Sequence, residues 1–442
     1  MENQPSRRNF LKTSTAAAAT GAALTSTSAR TAHAQGSDEI KFALIGCGGR
    51  GSGATINIFE SGGNVKLVGV ADAFDGKASG LVNTLKTRNK GKYADKVDVP
   101  ADRIFSGLDA YKKLLEVECD LVIIATPPGF KPQQFEAAVN AGKHIFCEKP
   151  VASDPAGVRR FLKSVEESKK KNLLVGIGLQ RRHEAQYLET VGRIQDGAIG
   201  DLTCLRVYWN GGGIWYRNRT DEQTEMAFQC NNWYHFNWLS GDQICEQHIH
   251  NLDVGCWVKG EYPVECNGMG GRGQRMDGDA TKSQIFDHTF CEYTFRDGSK
   301  MFSQGRHLKG SWTHVAEYAH GTKGIADISG SKIMPNNGEA WQFDKKNRQR
   351  GHQQEQNDLI AALSRGEIYN EGEYGAYSTF TAILGREACY SGKIIKWDDL
   401  LEKGGDICPG IDEYTIDTKP PTAPGEDGKY PVPVPGQYNP FA

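Results

Sequence analysis

The chain has 442 residues, with 52 Lys and Arg against 54 Asp and Glu for a net charge of −2. That length holds more than one domain with real apolar cores, and a near-neutral balance without a long basic run argues against nucleic acid or an anionic membrane surface as a partner. Between Gly36 and Ala442 no apolar run approaches the roughly 18 residues of a membrane helix, so no membrane insertion is expected once the leader is removed.

The leader is the first readable element. Ser6-Arg7-Arg8-Asn9-Phe10-Leu11-Lys12 is a twin-arginine signature, followed by a mildly apolar Ala/Thr/Gly stretch and the A-x-A site Ala32-His33-Ala34. Residues 1–34 therefore read as a signal peptide, with the mature chain starting at about Gln35; the plainer alternative is a disordered leader with a chance Arg pair. No cysteine stands near the site, which argues against a lipid anchor. The twin-arginine route carries folded proteins, so export already folded to the periplasm or another extracytoplasmic space is expected. Eleven cysteines, an odd number at irregular spacing with no C-x-x-C pair, then read as mostly free, buried thiols, and no metal site is expected.

From residue 39 to 178 apolar strands alternate with amphipathic helices. The strands are expected at Lys41–Gly46, Lys66–Asp72, Asp120–Thr126, Lys143–Lys149 and Leu173–Gly178, which implies a Rossmann-type, doubly wound parallel sheet with ligands at the strands' carboxyl ends. The first strand runs into Gly46-Cys47-Gly48-Gly49-Arg50-Gly51, a G-x-G-x-x-G in its strand-turn-helix setting. The first glycine permits the turn, the second lets backbone approach a pyrophosphate, and the third lets helix and strand pack closely. Asp72 ends the next strand 21 residues after Gly51, placed for the adenosine ribose hydroxyls, so NAD is expected in preference to NADP. A glycine-rich turn with a helix-capping Asp is the alternative. Asp120–Thr126 runs into Pro127-Pro128, which puts Thr126 and Pro127 where a nicotinamide ribose would lie.

After Gly178 the texture changes, and residues 179–415 read as a second, α+β domain on an open, largely antiparallel sheet. Gln180-Arg181-Arg182-His183 lies at the crossover, where Arg181 is a candidate substrate contact or simply solvated. A helix at Ala185–Gly197 and a Gly/Asn/Trp-rich loop at Asn210–Leu239 follow. That loop crowds Trp215, Tyr216, Trp233, Tyr234, His235 and Trp238 together with Arg217 and Arg219, and Trp209 stands just before it. The faces suit a sugar ring or tertiary packing, with Trp215 and Tyr216 the candidates for substrate. A helix at Gly241–Lys259 would carry Glu246, His250, Asp253 and Trp257, spaced 4, 3 and 4 apart on one face. A neutral imidazole there can take an alcohol proton near pH 7, and a carboxylate can orient it; a packed histidine and a metal pair remain alternatives. Runs at Ile285–Phe295 and Lys300–Gln304 turn at Arg296-Asp297-Gly298-Ser299 as a hairpin. Helices follow at Gln353–Ser364 and Ala376–Ser391, and the proline-rich tail, residues 416–442, is an extended arm or disordered.

Gly46–Gly51, Ala125-Thr126-Pro127-Pro128 and Gly142-Lys143-His144-Ile145-Phe146-Cys147-Glu148-Lys149-Pro150, in this order and spacing, resemble the glucose-fructose oxidoreductase, inositol dehydrogenase and MocA family, across essentially the whole mature chain. The resemblance includes Gly197–Gly200, and the segment Ile383-Leu384-Gly385-Arg386 to Tyr390-Ser391-Gly392-Lys393 resembles its exported bacterial branch. The resemblance implies an NAD-dependent oxidoreductase acting on a sugar, glycoside or polyol. It also implies Glu148 and Lys149 beside the nicotinamide, Lys149 on the substrate hydroxyl, His250 as the base, Asp253 as the acid that follows it, and Glu246 in the place of an Asp near the substrate. At Lys131 the family often has His. A homo-oligomer is expected. Two other functions stay open: an NAD-dependent glycosidase that oxidises its sugar transiently, whose relatives usually lack the E-K-P lysine, and a nucleotide-loaded binding protein without turnover.

Overall fold

The computed structural model describes residues 39–274 and 283–442; the twin-arginine segment, the cleavage site and Gln35 lie outside the described residues. Strand β1 (Ile40–Ile45) buries five of its six residues, as a strand covered on both faces must. With β2 (Val65–Asp72), β3 (Ile104–Ser106), β4 (Leu121–Ile124), β5 (His144–Cys147) and β6 (Val175–Ile177) it forms a wholly parallel sheet in the order 3-2-1-4-5-6. The order reverses between β1 and β4, which opens a crevice at the carboxyl ends of those strands. β3 was not expected from sequence: three residues at a sheet edge are too short to show a period.

The second sheet has nine strands: β7 (Leu202–Gly211), β8 (Glu265–Gly271), β9 (His288–Thr294), β10 (Lys300–His307), β11 (His314–Gly321), β12 (Gly324–Asp327), β13 (Lys332–Pro335), β14 (Trp341–Gln342) and β15 (Ile395–Lys396). Its pairs are antiparallel except β7 with β10, which run parallel. The expected 285–304 hairpin is β9 and β10. The helix Gly372–Ser391 is buried all round from Ser378 onward, which matches its lack of an exposed polar face.

Two expectations need correction. The Asn210–Leu239 loop begins inside β7 and contains the helices Glu225–Asn231 and Asn237–Ser240. The single helix at Gly241–Lys259 is two, Asp242–Glu246 and Ile249–Lys259. In a continuous helix the Glu246 carbonyl would accept from the His250 amide; instead it accepts from Lys149 Nζ at 2.6 Å, and the His250 amide bonds Gln247. His248, at the break, is drawn into the sheet by Ser303 Oγ at 2.7 Å.

The helix Gly351–Arg365 brings the chain back to the parallel sheet, where Leu359, Ile360, Ala362 and Leu363 join the core formed by Phe42, Leu44 and Ile58. Of the two readings of the tail, the structure shows the extended arm. Tyr430 is buried edge-on against Phe236 at 4.9 Å, Gln229 donates to the Thr422 carbonyl at 2.8 Å, and the Gly436 amide bonds Ser391. All eleven cysteines are free thiols, ten of them buried.

Candidate active site

Gly46 turns out of β1 at φ +98°, and the helix Gly49–Phe59 starts three residues on. A Cβ at Gly51 would lie 1.9 Å from the Gly46 carbonyl oxygen, whereas one at Gly48 or Gly49 would meet nothing among the described residues within 4 Å. The loop is thus closed toward its own strand and open toward the crevice, with helix amides facing the opening. That is an anion cradle. Asp72 ties the loop to β2: its carboxylate accepts from the Cys47 amide at 2.8 Å and the Phe74 amide at 3.0 Å.

A cleft runs from Gly46 and Gly48 past Asp72 to Thr126 and Pro127, with Trp233 and Cys230 of the second half on its other wall. Thr126 Oγ donates to Gln134 at 2.5 Å. Lys77 also lines the cleft, its amine 4.5 Å above the Phe74 ring. Sequence reading missed it, although one helical turn beyond Asp72 was the place to look. Arg50, beside the glycines, pairs with the buried Glu148 at 3.0 Å, which joins the loop to the E-K-P segment.

Lys149 Nζ donates to the Glu246 carbonyl at 2.6 Å and to its carboxylate at 3.0 Å, both side chains nearly buried. Glu246 in turn lines a second, more open cavity with Trp215, Trp233, Tyr234 and Lys309. Trp233 borders both cavities. His250 is buried and stacked on Trp209 with ring centroids 5.7 Å apart, and its Nδ1 has no hydrogen-bond partner among the described residues. Burial first, then the charges of Lys149 and Arg181, hold its pKa well below the usual 6.5, so the ring is neutral at pH 7.

The structure draws three of the candidate substrate residues away from that cavity. Asp253 is buried, accepting from Arg182 at 2.8 and 3.1 Å and from Ser378 at 2.6 Å. Arg181 pairs with the buried Glu317, which also accepts from Tyr187 at 3.3 Å and from Asn251. Tyr216 packs its ring edge-on against His235 at 5.4 Å and Phe228 at 6.4 Å. Sequence spacing put Asp253 on one face with Glu246, but the helix break and the pull of Arg182 separate them. Trp215 does line the cavity.

Two further groups lie outside this set. Asp154, Asp406 and Cys408 place their donor atoms within 4.8 Å of one another. They already serve as a cap: Asp154 accepts from the amides of Gly157 and Ile407 and from the Cys408 thiol. His183 bridges Asp358 at 2.8 Å and Glu371 at 3.2 Å. Burial opposes its charge, but the two carboxylates win and raise its pKa from 6.5 to about 10. Stability from this group is full below pH 6.5 and is lost as pH rises toward 10. The melting-temperature gap between wild type and His183→Gln should shrink across that window; a constant gap would mean an uncharged ring.

A parallel sheet with a glycine cradle, a strand-end Asp and a cleft walled on its far side by Cys230 and Trp233 of the second half defines an NAD-binding Rossmann-fold protein. Residues 40–177 match the family described as "Oxidoreductase family, NAD-binding Rossmann fold", the glucose-fructose oxidoreductase, inositol dehydrogenase and MocA type. Residues 4–24 match the signal sequence of the twin-arginine translocation pathway, which indicates export. Among curated relatives, "Inositol 2-dehydrogenase" of Rhizobium meliloti (strain 1021) is 29% identical over 51% of this chain and 56% of its own length. The protein of the same name from Rhodococcus jostii (strain RHA1) is 26% identical over 38% and 41%. The chain thus spans about half the length of the curated relatives it matches. The fold resembles scyllo-inositol dehydrogenase from Lactobacillus casei with bound NAD(H) and scyllo-inositol, with TM-score 0.61 and 19% identity over 81% of this chain and 99% of that one. Aldose-aldose oxidoreductase from Caulobacter crescentus gives the same TM-score, identity and coverage. No helix among the described residues is long and apolar enough to cross a membrane.

Proposed function

We propose that the protein is an exported, NAD-dependent dehydrogenase that interconverts a secondary hydroxyl and a ketone on a cyclic polyol or sugar, working in the periplasm. One observation carries the reading. Lys149 and Glu246 are bonded to each other at the wall of a cavity that shares Trp233 with the nucleotide cleft. The residues present fit the cofactor: an open anion cradle at Gly48 and Gly49, a carboxylate at Asp72, and Thr126 and Pro127 farther along the same cleft. When bound, NAD supplies the hydride acceptor.

The protein's own part is to hold oxygen and move a proton. Two of the three N–H bonds of Lys149 go to Glu246, which leaves the third to donate to the reacting oxygen. His250, neutral and held flat against Trp209, takes the hydroxyl proton as the carbonyl forms. With Lys149 and Arg181 nearby, the imidazolium gives that proton up readily. Glu317 and Arg182 position Arg181 and Asp253 behind the site, and Trp215, Trp233 and Tyr234 offer faces to a saturated ring. The relatives named for inositol support a cyclic polyol as substrate.

The test is stoichiometry. The purified protein with NAD and myo-inositol, scyllo-inositol or aldopyranoses should form one NADH for each ketone detected by mass spectrometry. Aglycone release from an aryl glycoside at flat NADH absorbance would make it a redox glycosidase, and no product from any of them would leave a binding protein.

Cofactor choice follows from Asp72. Its carboxylate accepts ribose hydroxyls and repels a 2′-phosphate, so the wild type should bind NAD more tightly than NADP. In Asp72→Ser the amine of Lys77 should favour the phosphate and move the preference toward NADP. Equal binding of both cofactors by the wild type, or an unmoved preference in the variant, would refute the assignment.

A further inference from the structure

Lys131 opens the helix Lys131–Asn140 directly behind the Pro127-Pro128 turn and is 1% exposed. A buried ammonium is costly unless its hydrogen bonds are made. Here all three are made, and to consecutive residues: Nζ donates to the carbonyls of Glu148 at 2.6 Å, Lys149 at 3.0 Å and Pro150 at 2.9 Å. No carboxylate takes part in these bonds. For packing alone a methionine would fill the space at lower cost, so the position is built around the donors.

Those carbonyls belong to the segment that carries the proposed oxygen-holding lysine. On its far side Val151 donates its amide to Thr379 Oγ at 3.2 Å, and Lys149 reaches across to Glu246. Burial pulls the Lys131 pKa down to about 8, opposed by Cys147 and Glu148, so the ammonium is charged at neutral pH.

We propose that Lys131 is a positioning residue: by gathering the carbonyls of residues 148–150 onto one ammonium it fixes that segment, and with it the amine of Lys149, against Glu246. This rests on the reading of Lys149 as the residue that holds the reacting oxygen. It also gives the lysine that stands where the family often has His a defined task in this chain.

The experiment compares Lys131→Met and Lys131→Arg with wild type in the full mature protein loaded with NAD. In Lys131→Met, amide exchange in the peptide covering residues 144–153 should accelerate by about tenfold or more, while peptides of β1 and β4 stay unchanged. Turnover should fall about tenfold or more with NAD affinity and substrate KM nearly constant, because a small displacement of a positioned group acts on the chemical step. Lys131→Arg, which keeps charge and several donors, should recover most of both. If Lys131→Met does not fold, Lys131→Gln replaces it with the same expectations. Unchanged exchange at residues 144–153 would overturn the proposal, and so would faster exchange with wild-type turnover. A wild type that oxidises no polyol or sugar would remove the functional reading, and the exchange result would still decide whether Lys131 holds the segment.

Discussion

Lys149→Ala and His250→Ala should each lower turnover by about 10²-fold or more, with NAD affinity nearly unchanged, because acid-base help in the transition state is worth that much. Neither side chain touches the glycine cradle, so the loss belongs to the chemical step. The two variants should differ in their side effects. Lys149→Ala leaves the Glu246 carbonyl, which the helix break exposes, without its 2.6 Å donor, so a modest loss of stability accompanies the loss of rate. His250→Ala removes a ring whose Nδ1 bonds nothing among the described residues, so stability falls only through lost packing on Trp209. Steady-state kinetics with thermal melting separates these outcomes. A His250→Ala protein with full activity in its folded fraction would show that the ring is there to pack.

Gly51→Ala and Gly48→Ala should part company just as clearly. The added methyl at residue 51 would stand 1.9 Å from the Gly46 carbonyl oxygen and 3.2 Å from Leu44 Cδ1, so the turn must move, at about 1–3 kcal/mol or more of stability. The methyl at residue 48 meets no atom of the described residues within 4 Å, and Gly48 has ordinary extended backbone at φ −73°. Gly48→Ala should therefore melt with the wild type yet bind NAD poorly, whereas Gly51→Ala should lose both. Calorimetric titration and melting curves read both properties; tight NAD binding by Gly48→Ala would mean that the pyrophosphate lies elsewhere.

Much of this was legible because local rules act over short spans. The glycine loop, Asp72 and the E-K-P segment sit at strand ends, and a buried parallel strand announces itself as an apolar run. The pairing of Lys149 with Glu246 joins residues 97 apart and was not derivable from spacing, although both had been singled out. Helical periodicity failed between Glu246 and His250 because a distant lysine competes for a helix carbonyl, and no local pattern records that competition. It failed likewise for Asp253, which answers to Arg182. Lys131 stood out only as an exchange of residue type; its meaning lies in three carbonyls that converge on it across the fold.

The return of the helix Gly351–Arg365 to the nucleotide sheet bears on how this chain can be cut. Burial of a large aliphatic side chain is worth about 1.5–3 kcal/mol, and Leu359, Ile360 and Leu363 come from a segment some 180 residues beyond the last strand of the sheet that they cover. A gene fragment ending near residue 178 would keep the helix Gly49–Phe59 on that face but uncover the part of it that Leu359, Ile360 and Leu363 bury. Shuffling or grafting the nucleotide half onto another partner must therefore carry a substitute for this helix, and the mature protein should unfold as one unit.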